Sequence, residues 1–115
     1  MLNTRRQWFL VFLVAVGILF VAGCSGSTRI ADINRDPGRY AGKDISITGS
    51  TANAFAVLGN GVYQVDDGSG TIWVFTQNGV PNAGVKLTVT GRVEQGFSFG
   101  GRNYGTILRE TEPRR

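Results

Sequence analysis

The sequence predicts a small all-β domain of five strands that close into a barrel. Three observations predict it: several segments alternate apolar and polar residues with a period of two, two connections carry hairpin-turn residues, and glycines interrupt two strands. A glycine inside a strand marks a bend or a close backbone approach, and a small barrel needs bends in order to close. The 115 residues leave room for one such domain.

A short helical turn is expected at the start of this domain. Ile30 and Ile33 are three positions apart, which indicates one apolar helix face that could plug the barrel. Asp36-Pro37-Gly38 follows, and Pro at the second with Gly at the third turn position favours a type II turn.

The strands are predicted from alternation and from the turns between them. The segments are DISITGS, VYQV, TIWVF, VKLTVTGRVEQGFSF and RNYGTILRE. The sequence DDGSG connects the second and third strands, and Gly100-Gly101 connects the last two, because both glycines tolerate positive φ. Glycines Gly49 and Gly91 each follow an aliphatic-Thr pair inside the first and fourth strands.

The first 24 residues have the features of an export signal. MLNTRRQ carries two arginines and no acid, and residues 8–22 form an uncharged apolar run. A membrane-spanning helix needs roughly 20 apolar residues, so this shorter run favours a signal peptide over a permanent single-pass anchor. The paired arginines also fit part of the twin-arginine export pattern, although the strongly apolar run favours the general secretory route.

Val21-Ala22-Gly23-Cys24 resembles the lipobox of bacterial lipoproteins, and it contains the chain's single cysteine. The resemblance implies that residues 1–23 are cleaved off as a signal peptide and that Cys24 receives a diacylglyceryl group. Two acyl chains are enough for stable anchoring in a membrane. Residues 24–29 would then form a short tether and residues 30–112 the barrel domain, with no cofactor beyond the covalent lipid.

The resemblance also bears on location. Ser25 follows the lipobox cysteine, and a residue other than Asp there implies transfer to the outer membrane, on its periplasmic side, if the source is Gram-negative. Otherwise the lipoprotein would sit on the outer face of the cell membrane.

Residues 30–110 resemble the small OB-fold domains of exported bacterial proteins. The likeness rests on YAGK before the first strand, on Gly49, and on the segments VYQVDDGSGTIWV and PNAGVKLTVTGRV. It implies an OB-like Greek-key barrel whose long first and fourth strands pair. Many OB-folds place a helix between strands three and four, and TQNGVPNAG is too short for one. An SH3-like barrel is the structural alternative.

Composition disfavours catalysis and metal binding. The chain has no histidine, which removes the commonest general base and metal ligand. No nucleophile lies beside a plausible base, so the protein is expected not to be an enzyme. Asp66 and Asp67 are adjacent carboxylates in a glycine-rich turn, and a hairpin tip explains them better than a calcium site, which needs more ligands.

The candidate ligand contacts lie on the third strand, on the fourth strand and the last hairpin, and at Gln64 on the second strand. If Ile72 and Val74 point inward, their neighbours point outward, and the resemblance puts strand three on the ligand face of the fold. A two-residue turn predicts that Phe99 opposes Arg102, and residues 51–60 are expected to form a loop on the other flank of the cleft. The predicted contacts are Gln64, Trp73, Phe75, Arg92, Phe97, Phe99, Arg102 and Tyr104, with Phe97 opposite Tyr104; packing of the aromatic rings is the alternative interpretation.

These features together predict a lipid-anchored, noncatalytic module that binds a protein or glycan of the cell envelope. The formal charge is +4, and removing Arg5 and Arg6 from the twelve basic residues leaves ten against eight acidic ones. That excess is small for a nucleic-acid binder, so a single-stranded nucleic-acid domain is the less favoured alternative. A structural adaptor of an envelope complex is the other.

Overall fold

The computed structural model describes residues 26–115, so the predicted signal peptide, the lipobox and Cys24 lie outside the described residues. Two short helices precede five strands. The elements are α1 (Ile30–Arg35), α2 (Pro37–Tyr40), β1 (Asp44–Val57), β2 (Asn60–Asp66), β3 (Thr71–Thr76), β4 (Lys86–Phe99) and β5 (Arg102–Glu110). Within residues 26–115, neither helix has the length and apolar character needed to cross a membrane.

The five strands form a closed barrel in the order β1-β2-β3-β5-β4, with β4 pairing back onto β1. Neighbouring strands are antiparallel except for β3 and β5, which run parallel. The predicted five-stranded, OB-like Greek-key barrel is therefore confirmed. The long strands β1 and β4 pair with each other, as expected.

Two glycines allow the strands to approach closely where the barrel closes. A Cβ atom at Gly49 would overlap the carbonyl oxygen of Asp66, and one at Gly91 would overlap the carbonyl oxygen of Arg109. Any larger residue would force these strands apart. The predicted close backbone approach is confirmed at both positions.

The barrel interior is filled by alternate apolar residues from every strand and by α1. Ile30 and Ile33 are fully buried, so the short helix plugs the barrel as expected. The strands contribute Ile47, Tyr63, Val65, Ile72, Val74, Leu87, Val89, Val93 and Leu108. Because all of these residues lie between residues 30 and 108, a chain that begins at residue 25 retains the complete core and the closed sheet.

The DDGSG turn holds the plug helix in place. The Ile30 N–H donates to Asp67 Oδ2 at 2.9 Å, and the Ala31 N–H donates to Ser69 Oγ at 3.1 Å. Partial burial raises the pKa of Asp67, but hydrogen bonds from Ser69, Ile30 and Gly70 outweigh it and hold the pKa below its ordinary value. The Asp67 carboxylate therefore has a structural partner in the first turn of α1.

Two local predictions are wrong. Pro37 begins α2 instead of a type II turn, and Gly38 lacks the left-handed φ that such a turn requires. Proline suits the first helical position because its missing N–H needs no partner there. The loop expected at residues 51–60 is mostly strand: β1 continues to Val57, and Leu58 and Gly59, with φ of 54° and 84°, form a two-residue hairpin turn.

Both ends of the described chain are attached to the barrel. The Thr28 N–H donates to the Ser46 carbonyl at 2.7 Å, and Ser27 Oγ lies 2.6 Å from Thr48 Oγ1. At the other end, Thr88 and Arg115 exchange two backbone hydrogen bonds of 2.9 and 3.1 Å. Contacts with the barrel therefore run from residue 27 to residue 115.

Candidate ligand-binding cleft

An open cleft of about 520 Å³ lies between the β1–β2 and β4–β5 hairpins, above β3. This volume is in the range of about 300–1,000 Å³ that is typical of small-molecule sites. The lining residues are Asn53, Ala54, Phe55, Trp73, Gly100, Arg102 and Tyr104. The structure thus brings together three of the predicted contacts, Trp73, Arg102 and Tyr104.

One wall of the cleft comes from β1, on the flank where the sequence predicts residues 51–60, but none of its lining residues was among the predicted contacts. The pairing of β1 with β2 shifts register between Ala52 and Phe55, and Asn53 adopts a left-handed φ of 46° in this bulge. Asparagine is one of the few residues that tolerate this conformation. The Phe55 ring is 50% exposed and lies edge-on to Phe99, with centroids 6.3 Å apart.

The opposite wall combines two aromatic rings with a guanidinium group. The Trp73 and Tyr104 rings meet edge to face, with centroids 5.0 Å apart. The Arg102 guanidinium carbon lies 5.7 Å from the Trp73 centroid and 5.1 Å from the Tyr104 centroid. These distances are within the range of cation–π attraction, which orients the Arg102 side chain over the rings.

A second aromatic layer supports the cleft from below. Phe75 faces outward, as strand parity predicts, but it is only 7% exposed and packs with the buried Val62 and Ile107. Its ring lies 5.0 Å from the Phe97 ring and 5.6 Å from the Phe99 ring. The prediction that Phe75 contacts a ligand is wrong, because the last hairpin covers the ring.

A second arginine, Arg109, lies over this layer and was also not predicted. Its guanidinium carbon is 4.8 Å from the Phe75 centroid and 5.4 Å from the Phe97 centroid. The same group donates two hydrogen bonds to the Glu94 carboxylate, of 2.7 and 3.1 Å. Arg109 and Glu94 are diagonal neighbours on β5 and β4, because Arg109 pairs with Arg92 and Glu94 pairs with Ile107. A sequence without the correct register cannot reveal this contact.

The register of the last hairpin differs from the prediction in one place. Phe99 opposes Arg102 across the Gly100-Gly101 turn, as expected. Phe97, however, opposes Gly105 and not Tyr104, because the ladder shifts on both sides of Phe97. Gly105 adopts a left-handed φ of 71° at this irregularity.

Five of the eight predicted contacts lie outside the cleft lining: Phe75, Phe97 and Phe99 in the supporting aromatic layer, and Arg92 and Gln64 elsewhere. Arg92 forms an exposed ion pair with Asp44, 3.4 Å away, where β4 pairs with the first residue of β1. It pairs with Arg109 in the β4–β5 ladder and does not line the cleft. Gln64 pairs with Trp73 across β2 and β3, and its Oε1 accepts a 2.8 Å hydrogen bond from Asn53 Nδ2. Gln64 therefore positions the Asn53 side chain without itself lining the cleft.

Comparisons with known proteins support the fold alone. No family model and no curated protein sequence matches the chain. The chain is similar in structure to the protein described as OBody AM3L09 bound to hen egg-white lysozyme, with a TM-score of 0.55 and 14% sequence identity. The match covers 75% of this chain and 91% of that one. The two proteins therefore share an overall architecture.

Proposed function

We propose that this protein is a lipid-anchored lipoprotein of the bacterial cell envelope whose barrel is a noncatalytic binding module for an envelope protein or glycan. The observation that carries the binding role is the cleft at Trp73, where exposed aromatic surface, a guanidinium group and an amide converge. Binding sites in proteins commonly combine apolar walls with a few placed polar groups. The lining contains no pair of groups suited to nucleophilic catalysis.

The position of the cleft also supports a binding role. The interior of the barrel is closed by the Ile30 and Ile33 plug and by the strand residues beneath it. The cleft residues lie outside this interior, and Trp73 and Tyr104 are only partly buried. Exposed aromatic surface of this kind has a cost in water that a bound partner would remove.

The chain path supports anchoring close to a membrane with the cleft left accessible. Ser27 is attached to β1 at Thr48, only three residues after Cys24, so a lipid on Cys24 would lie within about 10 Å of that point. From Thr48 to Ala54 the strand advances about 20 Å. The anchor and the cleft are therefore attached to different stretches of β1.

Capture from envelope extracts tests the binding role. We expect immobilised residues 25–115 to retain an envelope protein or glycan, and we expect Trp73→Ala to abolish retention while changing the melting temperature little. Leu58→Ala is the matched control, because Leu58 is 98% exposed at the β1–β2 turn and does not line the cleft. Equal retention by the wild type and Trp73→Ala would refute the proposed binding site.

Mass spectrometry of the protein from its native host tests the anchor. We expect the mature chain to begin at Cys24, with a diacylglyceryl group on its sulfur. An uncleaved leader with a free thiol would refute the lipoprotein assignment without bearing on the cleft.

A further inference from the structure

Two arginines of this domain occupy similar aromatic settings but differ in their partners. Arg109 lies over Phe75 and Phe97, and its guanidinium group forms a two-bonded fork with Glu94. Arg102 lies over Trp73 and Tyr104 at comparable distances. Within residues 26–115, however, Arg102 makes no ion pair and no side-chain hydrogen bond. Its N–H donors are held at the cleft and remain available.

We infer that the cleft recognises a sugar that carries a carboxylate, with Arg102 binding the carboxylate as Arg109 binds Glu94. This inference rests on the proposed binding function and names the class of its ligand. A guanidinium group matches a planar carboxylate through two parallel N–H···O bonds, which gives both affinity and orientation. Stacking on two rings pre-orders the Arg102 side chain, so that less freedom is lost when the ligand binds.

The remaining lining residues suit a saccharide. Phe55 and Trp73 offer apolar ring surface on opposite sides of the cleft, against which the C–H face of a sugar can pack. The Asn53 amide nitrogen is engaged by Gln64, which leaves its oxygen to accept a hydrogen bond from a sugar hydroxyl. The cleft thus presents one cation, apolar walls and a hydrogen-bond acceptor.

The charge and size of the cleft favour this ligand over a nucleic acid or a protein. Arg102 is the single charged residue in the lining, whereas proteins that bind single strands use a positively charged groove that follows many phosphates. Seven residues line the cleft, whereas a stable protein interface uses roughly 20–30 residues on each side. A ligand with one anionic group on an otherwise neutral ring fits both observations.

Tryptophan fluorescence gives a direct test, because Trp73 is the single tryptophan in residues 25–115. Two matched pairs of probes differ in the carboxylate: tri-galacturonate against its methyl ester, and N-acetylmuramic acid against N-acetylglucosamine. We expect at least one acid to bind about tenfold or more tightly than its neutral partner. The pair that shows this preference identifies whether the carboxylate comes from a uronic acid or from a lactyl ether.

The variants separate the carboxylate contact from the stacking contact. We expect Arg102→Gln to bind the acid no better than the neutral sugar and Arg102→Lys to recover little, because lysine lacks the planar fork. Arg39→Gln is the control, since Arg39 lies 5.9 Å from the Tyr40 ring, outside the cleft, and should bind like the wild type. Trp73→Ala lacks the fluorescent reporter, so its binding is measured by calorimetry. We expect this variant to bind the acid and the neutral sugar more weakly by the same factor.

Three results of the sugar titrations would overturn the inference. They are equal affinity for acid and neutral sugars, no binding of either acid, and an acid preference that Arg102→Gln does not change. Tighter binding of an oligothymidylate than of either acid would also overturn it in favour of nucleic acid. The dependence of envelope capture on Trp73 is measured separately and does not depend on these results. Failure of the proposed ligand class can therefore be distinguished from failure of the proposed binding function.

Discussion

The buried carboxylate of Glu110 ties the C-terminal tail to the barrel. Its side chain is 1% exposed and accepts hydrogen bonds from the Tyr63 hydroxyl at 2.8 Å and from Arg114 Nη1 at 3.0 Å. Asn78 Nδ2 lies 3.2 Å from its second oxygen. Arg114, at 21% exposure, also lies over the Tyr63 ring. The network therefore joins the core, the β3–β4 connection and the tail.

We expect Glu110→Gln to destabilise the domain by about 3 kcal/mol. Removing one partner of a buried ion pair costs about 3–5 kcal/mol, because the remaining charge loses its counter-charge. Arg114 retains some contact with water, which favours the lower end of that range. For a domain of this size each kcal/mol lowers the melting temperature by about 4–8 °C, so the expected decrease is about 12–24 °C.

Thermal and urea unfolding of residues 25–115, followed by circular dichroism, measure this effect. Glu112→Gln is the control: Glu112 is exposed in the same tail, and its loss should change the free energy of unfolding by less than about 0.5 kcal/mol. Combining Glu110→Gln with Arg114→Gln should cost less than the sum of the two single changes. If Glu110→Gln were no more destabilising than Glu112→Gln, the buried network would not hold the tail.

Three further predictions concern the barrel itself. Gly49→Ala should lower the free energy of unfolding by more than about 2 kcal/mol, because its Cβ would overlap a facing carbonyl. Gly38→Ala has open space around it and should be neutral or stabilising by up to about 1 kcal/mol, as chemical denaturation of both variants can show. Since the pKa of Asp67 is lowered in the folded state, its contribution to stability is present above the unfolded pKa of about 3.9 and is lost as the pH falls through the lower folded value. Denaturation at a series of acidic pH values should therefore show that Asp67→Asn loses less stability on acidification than the wild type does. Asp36→Asn is the control, because the Asp36 side chain makes no cap hydrogen bond, and it should lose as much stability as the wild type. Equal losses in all three proteins would contradict the role of Asp67 in holding α1. Burial and the neighbouring carboxylate raise the pKa of Tyr63, so the free energy of unfolding should fall as the pH rises above about 10. In a titration followed by tyrosinate absorbance, Tyr63 should ionise only when the protein unfolds. Ionisation of every tyrosine at about pH 10 in the folded protein would contradict this.

The interior of the barrel could be predicted because each inward position follows the strand period. Ile72 and Val74 are buried in the interior, and Trp73 between them faces outward. The plug helix could also be predicted, because the spacing of Ile30 and Ile33 indicates one apolar face. These patterns are local, so no knowledge of the partner strands is required.

The sequence predicted residues 51–60 on this flank of the cleft, but it could not predict that they continue β1 or which of them line the cleft. Leu58 adopts a left-handed φ that favours Asn or Gly, so Leu58-Gly59 lacks the usual sequence signal of a two-residue turn. The bulge at Asn53 then changes which residues of β1 face the cleft. Arg109 and Glu94 became partners only through the register of β4 and β5, which depends on two local irregularities. Bulges and registers arise from pairing between strands, and a single sequence carries little direct signal for them.

Backbone and indole N–H resonances of residues 25–115 give the most direct test of where this protein binds. Solubilised envelope glycan from the native host should shift the signals of residues 53–55, the Trp73 indole and residues 100–104, and leave the face around Ser46 and Thr90 unchanged. Shifts confined to that opposite face, with the Trp73 indole unmoved at saturation, would contradict binding in the cleft.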